Sequence, residues 1–371
     1  MRVLCAPDSF KHSLTAAQAA AAMARGVRAA LPDAEAVELP LSDGGEGFTD
    51  AIADALGASV VELPVLDALG RPTTARLALA GDLAAFEVAT AVGLEAVADA
   101  DRDIMASDTR GVGQVIDAAL DAGVRRLVVG LGGSATNDAG AGMLAALGVL
   151  FLDEAGQPVA TTPDGLASVA KVDAAGLDPR LAGVQVRVAC DVDNPLLGPR
   201  GASAIFGPQK GADPNQVIQL DATLGRVARA SGREGVADAA GAGAAGGLGF
   251  ALLAFLGAEL VPGIDLVADT IGLADRVRSA DMVLTGEGSV DAQTLSGKAP
   301  AGVAAHAAAV GVPVVLFAGR VAAGAEVLLD RGVEAIVCIT PEGQPLADAL
   351  TGASRNLEAA VAGFLRTSRP S

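Results

Sequence analysis

The sequence predicts an α/β protein: a parallel-sheet domain assembled from both ends of the chain, with a second, mixed α/β domain inserted into it. Three observations lead there. Short apolar runs alternate with helical patterns at the start of the chain and again from Met282 onward, the rhythm of a parallel sheet with covering helices. Neither terminal segment holds enough strands for a sheet of its own, whereas together they supply about six. Between them the rhythm breaks into a hairpin and several glycine-rich loops. The expected discontinuous domain spans 1–70 and 286–371, and the expected insertion spans 71–285. The join between two such domains is expected to form a cleft, a common place for a small-molecule site.

In chain order, Arg2–Ala6 reads as a strand and Pro7–Ser13 as the loop after it. Thr15 and Gln18 spell a capping box for an Ala-rich helix that runs toward Leu31. Val37–Leu39 is a second strand, and Ser42-Asp43-Gly44-Gly45-Glu46-Gly47 opens a second helix. Val60–Val65 reads as a third strand and completes βαβαβ. Thr73–Leu79 and Ala84–Val88 are separated only by Ala80-Gly81-Asp82-Leu83, which suggests an antiparallel hairpin. A helix over 113–120 leads to an apolar strand at 126–131, and Val184–Ala189 is another buried strand. One helix begins near Asn215, and an apolar one ends at Leu256. Met282–Thr285 is a strand that leads into a loop over Gly286–Asp291, and Pro300 suits the first turn of a helix. Strands at Val312–Phe317 and Ala335–Ile339, with helices near 324–331 and 346–365, complete the chain.

Composition bounds the function. With 51% hydrophobic and 19% charged residues over 371 positions, the chain is globular. A net charge of −18 argues against nucleic acid and against anionic membrane surfaces. Cys5, Cys190 and Cys338 are scattered, with no metal-ligand spacing, so a reducing cytoplasm is expected. The first residues enter a strand with no signal-peptide layout. The run Ala240–Gly257 comes nearest to a membrane span, but glycines interrupt it.

The chemistry centres on Gly130-Leu131-Gly132-Gly133-Ser134-Ala135-Thr136-Asn137-Asp138-Ala139-Gly140, a loop between the apolar run Arg126–Val129 and a helix at Met143–Leu147. Such a loop offers free backbone N–H groups and the positive end of a helix dipole to an anion. A loop kept small only for packing would be satisfied by Gly and Ala, whereas Ser134, Thr136, Asn137 and Asp138 crowd polar atoms into it. The loop therefore reads as the centre of a phosphate and metal site.

Other loops add charge. The chain has four lysines against 22 arginines, and Lys11, Lys210 and Lys298 all fall in loops, where a compact ammonium suits phosphate. Asp8, Asp43, Glu46, Asp138, Asp191, Asp193, Glu287 and Asp291 end strands or open the loops after them. In parallel sheets ligands sit beyond the carboxyl ends of strands, and clustered carboxylates suit Mg²⁺. Gly241-x-Gly243-x-x-Gly246 matches the dinucleotide fingerprint by spelling, but a poor strand precedes it, and close backbone approach is the better account. No Walker-type Gly-x-x-x-x-Gly-Lys-[Ser/Thr] occurs, and no Ser-His-Asp elbow.

Taken together, these loops resemble the bacterial type I glycerate kinase family. The matching segments are Ala6-Pro7-Asp8-Ser9-Phe10-Lys11, Asp43-Gly44-Gly45-Glu46-Gly47, Thr109-Arg110-Gly111-Val112-Gly113 and Gly132–Asp138. They continue with Asp191-Val192-Asp193-Asn194-Pro195-Leu196, Phe206-Gly207-Pro208-Gln209-Lys210-Gly211, Gly241–Gly249, and Thr285-Gly286-Glu287-Gly288 with Asp291, Gln293, Gly297 and Lys298. Ser289 stands where the family often has Arg. The resemblance implies a Rossmann- or flavodoxin-like domain with an inserted domain, and ATP-dependent phosphorylation of D-glycerate, usually at the 2-hydroxyl.

On that footing Gly132, Gly133, Ser134, Thr136, Asn137, Gly286, Glu287, Lys210 and Lys298 are expected to hold ATP. Mg²⁺ is expected on Asp191, with Asp138 or Glu287 as a further ligand. Lys11 and Arg110 would clamp the glycerate carboxylate, with Ser9 and Asn194 as further substrate contacts. Asp191 or Asp43 would take the hydroxyl proton. Phosphorylation at the 3-hydroxyl, a dehydrogenase using Gly241–Gly246, and a carboxylate-binding sensor are the alternatives. No nucleic-acid or membrane partner is expected, and a homodimer stays open.

Overall fold

The computed structural model describes residues 1–291 and 299–367. The strands, in chain order, are β1 (Arg2–Cys5), β2 (Glu35–Glu38), β3 (Ser59–Leu66), β4 (Pro72–Ala80), β5 (Leu83–Glu87), β6 (Arg126–Gly130) and β7 (Leu150–Leu152). They continue as β8 (Lys171–Asp173), β9 (Gln185–Ala189), β10 (Glu259–Val261), β11 (Met282–Val290), β12 (Val314–Val321) and β13 (Val333–Cys338). The chain divides into two compact units. The first is Met1–Asp43, Asp50–Gly57 and Pro262–Ser371; the second is Gly44–Thr49 and Ala58–Val261.

The first unit carries a five-stranded sheet in the order β13-β12-β11-β1-β2, with every pair parallel. This is the flavodoxin-like order, in which the strand order reverses between β1 and its neighbour β11. The helix Ala16–Ala30 begins with the foreseen capping box, Thr15 accepting from the Gln18 amide at 3.2 Å while Gln18 accepts from the Thr15 amide at 3.0 Å. Its alanine face and Met23 pack with Phe317, Leu357 and Val361 in the core of this unit. Phe317 meets Phe364 edge-on, ring centroids 6.2 Å apart.

The second unit carries a six-stranded mixed sheet, β10-β9-β6-β5-β4-β3. The pairs β3·β4 and β4·β5 are antiparallel, and β5·β6, β6·β9 and β9·β10 are parallel. A small separate hairpin joins β7 to β8. The expected hairpin of β4 and β5 is present. The core of this unit runs from Val65 to Ala258 and includes Phe86, Val129, Leu144 and Phe250.

Two expectations need correction. The segment read as a third strand of the first sheet, β3, pairs along its whole length with β4, from Ser59↔Leu79 to Leu66↔Pro72. Its partner follows within a few residues because the turn at 67–71 closes locally: Asp67 Oδ1 accepts from the amides of Leu69 at 2.9 Å and Arg71 at 2.8 Å. The first sheet therefore has five strands, and the divisions fall at 57/58 and 261/262 rather than 70/71 and 285/286, with Gly44–Thr49 also joining the second unit. The segment Gly286–Val290, read as a loop, extends β11 and pairs with β12 as far as Val290↔Val321. Near the chain end, Ala325–Arg331 is a 3₁₀ segment, and the last helical region splits into Leu346–Thr351 and Ala353–Thr367. Among the described residues no helix is long and apolar enough to cross a membrane.

Candidate active site

In the second unit, the loop after β6 is pinned on both sides. The Ala135 amide donates to the Val92 carbonyl at 2.8 Å, and the Ala139 amide to the Gly246 carbonyl at 3.1 Å. Gly132 and Gly133 are exposed at its tip, whereas Ser134, Thr136, Asn137 and Asp138 are buried. Two polar atoms of these side chains lack partners: Thr136 Oγ1 and Asn137 Nδ2 are buried with no hydrogen bond. Asn137 Oδ1 accepts from the Ser203 hydroxyl at 3.2 Å. Orphaned buried polar atoms are rare in folded proteins and call for a partner.

Lys210 ends the 3₁₀ turn Pro208–Lys210 and is 3% exposed. Its Nζ donates to Ser134 Oγ at 3.0 Å and to the Thr136 carbonyl at 2.7 Å, which places the ammonium on the loop that sequence reasoning chose as the phosphate site. Burial pulls its pKa down from 10.5 to about 7, against the opposing pull of Asp138.

The glycine array after residue 240 braces this loop. Gly246 has φ +69°, and a Cβ there would lie 2.0 Å from the Thr136 carbonyl oxygen. Ala245 and Ala139, on the two facing segments, both hold left-handed backbones, φ 51° and 55°, a strain worth of order 1–3 kcal/mol each. A 3₁₀ turn at Glu234–Val236 stands where a dinucleotide fingerprint needs a strand, so close approach is the role of these glycines.

Asp138, expected as a metal ligand, holds its own loop through hydrogen bonds. It is fully buried, and its oxygens accept four hydrogen bonds: from the Thr109 amide and hydroxyl, both at 2.8 Å, the Gly142 amide at 2.9 Å and the Gly140 amide at 3.0 Å. Three of the four go to Oδ2, and Oδ1 takes only the Gly140 amide. Burial, with Asp108 nearby, raises its pKa to about 6 despite those donors.

The remaining expected residues of this unit are more open. Asp191 is exposed just past the carboxyl end of β9. Asn194 Nδ2 donates to the Arg200 carbonyl at 2.8 Å, closing its own loop. Arg110 heads the helix Arg110–Asp121, and its guanidinium donates to Thr161 Oγ1 at 3.3 Å with Asp108 at 3.8 Å. That arrangement ties Arg110 to its own neighbourhood.

In the first unit, the chain leaves β1 beside β11, where the strand order reverses. The Asp8 amide donates to the Gly286 carbonyl at 2.9 Å, and Thr285 Oγ1 to the Ala6 carbonyl at 2.8 Å. Gly286 is small because a Cβ would lie 2.2 Å from the Phe317 carbonyl oxygen. Asp8 is buried, accepting at Oδ1 from the Ser9 amide at 2.5 Å. Burial first, then Asp43, raises its pKa to about 7; Glu287 adds to the rise, and Lys11 and the Ser9 hydrogen bond oppose it. Glu287 is buried, Asp43 and Ser9 are half-buried, and Lys11 is exposed. Asp8 appeared in the sequence only as one of many acids that end strands, and its position at the switch point singles it out. Gln293, Gly297 and Lys298 lie outside the described residues.

A sequence model of the Glycerate kinase family matches residues 3–369. The chain is 44% identical to the glycerate kinase of Bacillus subtilis (strain 168), over 96% of this chain and 95% of that one. It is 40% identical to the glycerate 2-kinase of Escherichia coli (strain K12), over 98% of both. A crystal structure assigned as a glycerate kinase 2, from Salmonella typhimurium LT2, superposes with a TM-score of 0.89 at 43% identity, covering 99% of this chain and 98% of that one. The chain belongs to the glycerate kinase family. It is accordingly a kinase, an enzyme class that takes ATP as co-substrate.

Proposed function

We propose that the protein phosphorylates D-glycerate at the 2-hydroxyl, using MgATP and yielding 2-phosphoglycerate and ADP. The observation that carries the phosphate assignment is Lys210 Nζ, buried on Ser134 and Thr136 beside two unpaired polar atoms. Phosphoryl transfer needs positioning and charge neutralisation more than covalent chemistry, and this loop supplies both. Lys210, Ser134 and Asn137 hold the phosphate oxygens, and the exposed amides of Gly132 and Gly133 add donors.

The donor set fits a magnesium ion bound mainly through phosphate oxygens and water. Among the described residues no three His, Cys, Asp or Glu side chains gather into a metal cage, and Mg²⁺ typically needs only one or two carboxylates. We read Asp191, just past β9 and so beside the end of β6 in the sheet, as the carboxylate that would hold it, and when bound the ion would neutralise phosphate charge. In the first unit, Lys11 attracts the glycerate carboxylate. We read Asp8, whose proton affinity lies near neutrality, as the base for the hydroxyl proton in preference to Asp191 or Asp43. A cytoplasmic location fits the unpaired cysteines.

The test is a coupled assay for ADP with MgATP and D-glycerate, followed by enolase without phosphoglycerate mutase. Enolase consumes the product if it is 2-phosphoglycerate. A product that enolase leaves untouched makes the enzyme a 3-kinase. NADH turnover without ATP, or glycerate binding without ADP release, replaces the kinase reading.

A further inference from the structure

Lys210 is a buried cation with neutral contacts. Its Nζ donates to one hydroxyl and one carbonyl oxygen, which uses two of the three hydrogens an ammonium carries. Asp138, the carboxylate that acts on it electrostatically, accepts hydrogen bonds from Thr109, Gly140 and Gly142 and makes no ion pair with it. A charge buried without a counter-charge is relieved by losing its proton. Thr136 Oγ1 and Asn137 Nδ2 stand buried on the same loop with no protein partner.

We propose that a proton enters this loop together with the nucleotide's phosphates: in the free protein Lys210, buried on neutral oxygens, rests as an amine, and it becomes an ammonium when a phosphate oxygen supplies the missing counter-charge. The proton comes from solvent, so the buffer loses the one that the amine gains. The inference rests on the reading of this loop as the phosphate site.

The charged groups around Lys210 lie on two segments besides its own. Asp138, on the phosphate loop, favours the ammonium, and Asp108 acts in turn on Asp138. Arg102 and Asp103 line the same small pocket as Lys210, with Ser107. Burial outweighs Asp138 and brings the lysine's titration close to neutrality. A phosphate adds negative charge at short range and reverses that balance.

The experiment is calorimetric titration of the intact protein with a non-hydrolysable ATP analogue and Mg²⁺ near pH 8.5, in two buffers of different ionisation heat. Expected is uptake of about one proton per nucleotide, with affinity falling about tenfold per pH unit above neutrality. Lys210→Arg carries a charge that does not titrate, and should bind nucleotide without taking up a proton. A second measurement needs no variant. The chain holds only four lysines, so ¹³Cε signals from labelled lysine are resolvable. One should titrate near neutrality in the free protein and shift alkaline on binding. Nucleotide binding with no proton exchange, or four lysine signals that all titrate in the ordinary alkaline range, overturns the proposal. Absence of nucleotide binding at every pH overturns both it and the phosphate-site reading.

Discussion

A side chain at Gly246 would stand 2.0 Å from the carbonyl oxygen of Thr136. Two segments more than a hundred positions apart thus meet backbone to backbone at the loop that receives Lys210. That same carbonyl accepts from Lys210 Nζ at 2.7 Å. The glycine array and the buried lysine therefore constrain one peptide group.

Gly246→Ala should displace Thr136 and its lysine contact. The variant combines a left-handed residue with an overpacked backbone, a cost of roughly 1–3 kcal/mol. Thermal melting should show a lower Tm, and steady-state kinetics a raised KM for ATP. An unchanged KM with a lowered Tm would mean that the brace is structural only.

Lys210→Met keeps the volume of the stem and removes the charge. Turnover should fall about 10²–10³-fold, as for loss of one preorganised electrostatic donor. Stability carries its own signature. The folded pKa lies below the unfolded value, so the contribution of Lys210 is fully present above about 10.5 and is lost as pH falls through about 7. The stability of the native protein relative to the variant should rise between those limits, as chemical denaturation across that pH range will check.

Asp138→Asn should damage the fold and leave metal affinity alone. Amides of Thr109, Gly140 and Gly142 and the Thr109 hydroxyl all donate to this carboxylate, and each donor left unpaired costs about 1–3 kcal/mol. The folded pKa is raised above the unfolded value, so the carboxyl's contribution is greatest below about 3.8 and is lost as pH rises through about 6. Denaturation curves should show the variant's deficit narrowing over that window. A weakened Mg²⁺ dependence of activity without loss of stability would restore the metal-ligand assignment.

Asp8→Asn should slow turnover about 10²–10⁴-fold, the usual range for a lost general base. In the native enzyme kcat/KM should rise with pH through about 7, as Asp8 gives up its proton. The variant should lack that acidic limb. A rate–pH profile that keeps the limb in the variant would assign it to another group.

Local patterns were readable in the chain itself. Thr15 and Gln18 announced a helix start through their own side chains, and the turn between β4 and β5 was written in its few residues. Lys210 stood out because arginine is the ordinary cation of this protein. What escaped notice depends on partners distant in sequence. The raised proton affinity of Asp8 needs burial together with Asp43 and Glu287. The anchoring of Asp138 needs Thr109, 29 positions earlier. The third strand misled for a related reason: a strand's pattern reports that it is half-buried, not which sheet it joins, and the Asp67 turn settled that.

The position of β1 bears on how the protein is made. It lies inside its sheet, between β2 and β11, and the bond from Thr285 to Ala6 spans 279 positions. At roughly 5–20 residues per second, the ribosome needs about fifteen seconds to a minute to cover that distance. Meanwhile Ala58–Val261, nearly the whole of the second unit, emerges as a continuous stretch. Until β11 is made, β1 has β2 on one side and no strand on the other, an open edge of the kind that invites pairing with other chains. Translation stalled before residue 282 should leave a folded middle and an N-terminus that proteases cut.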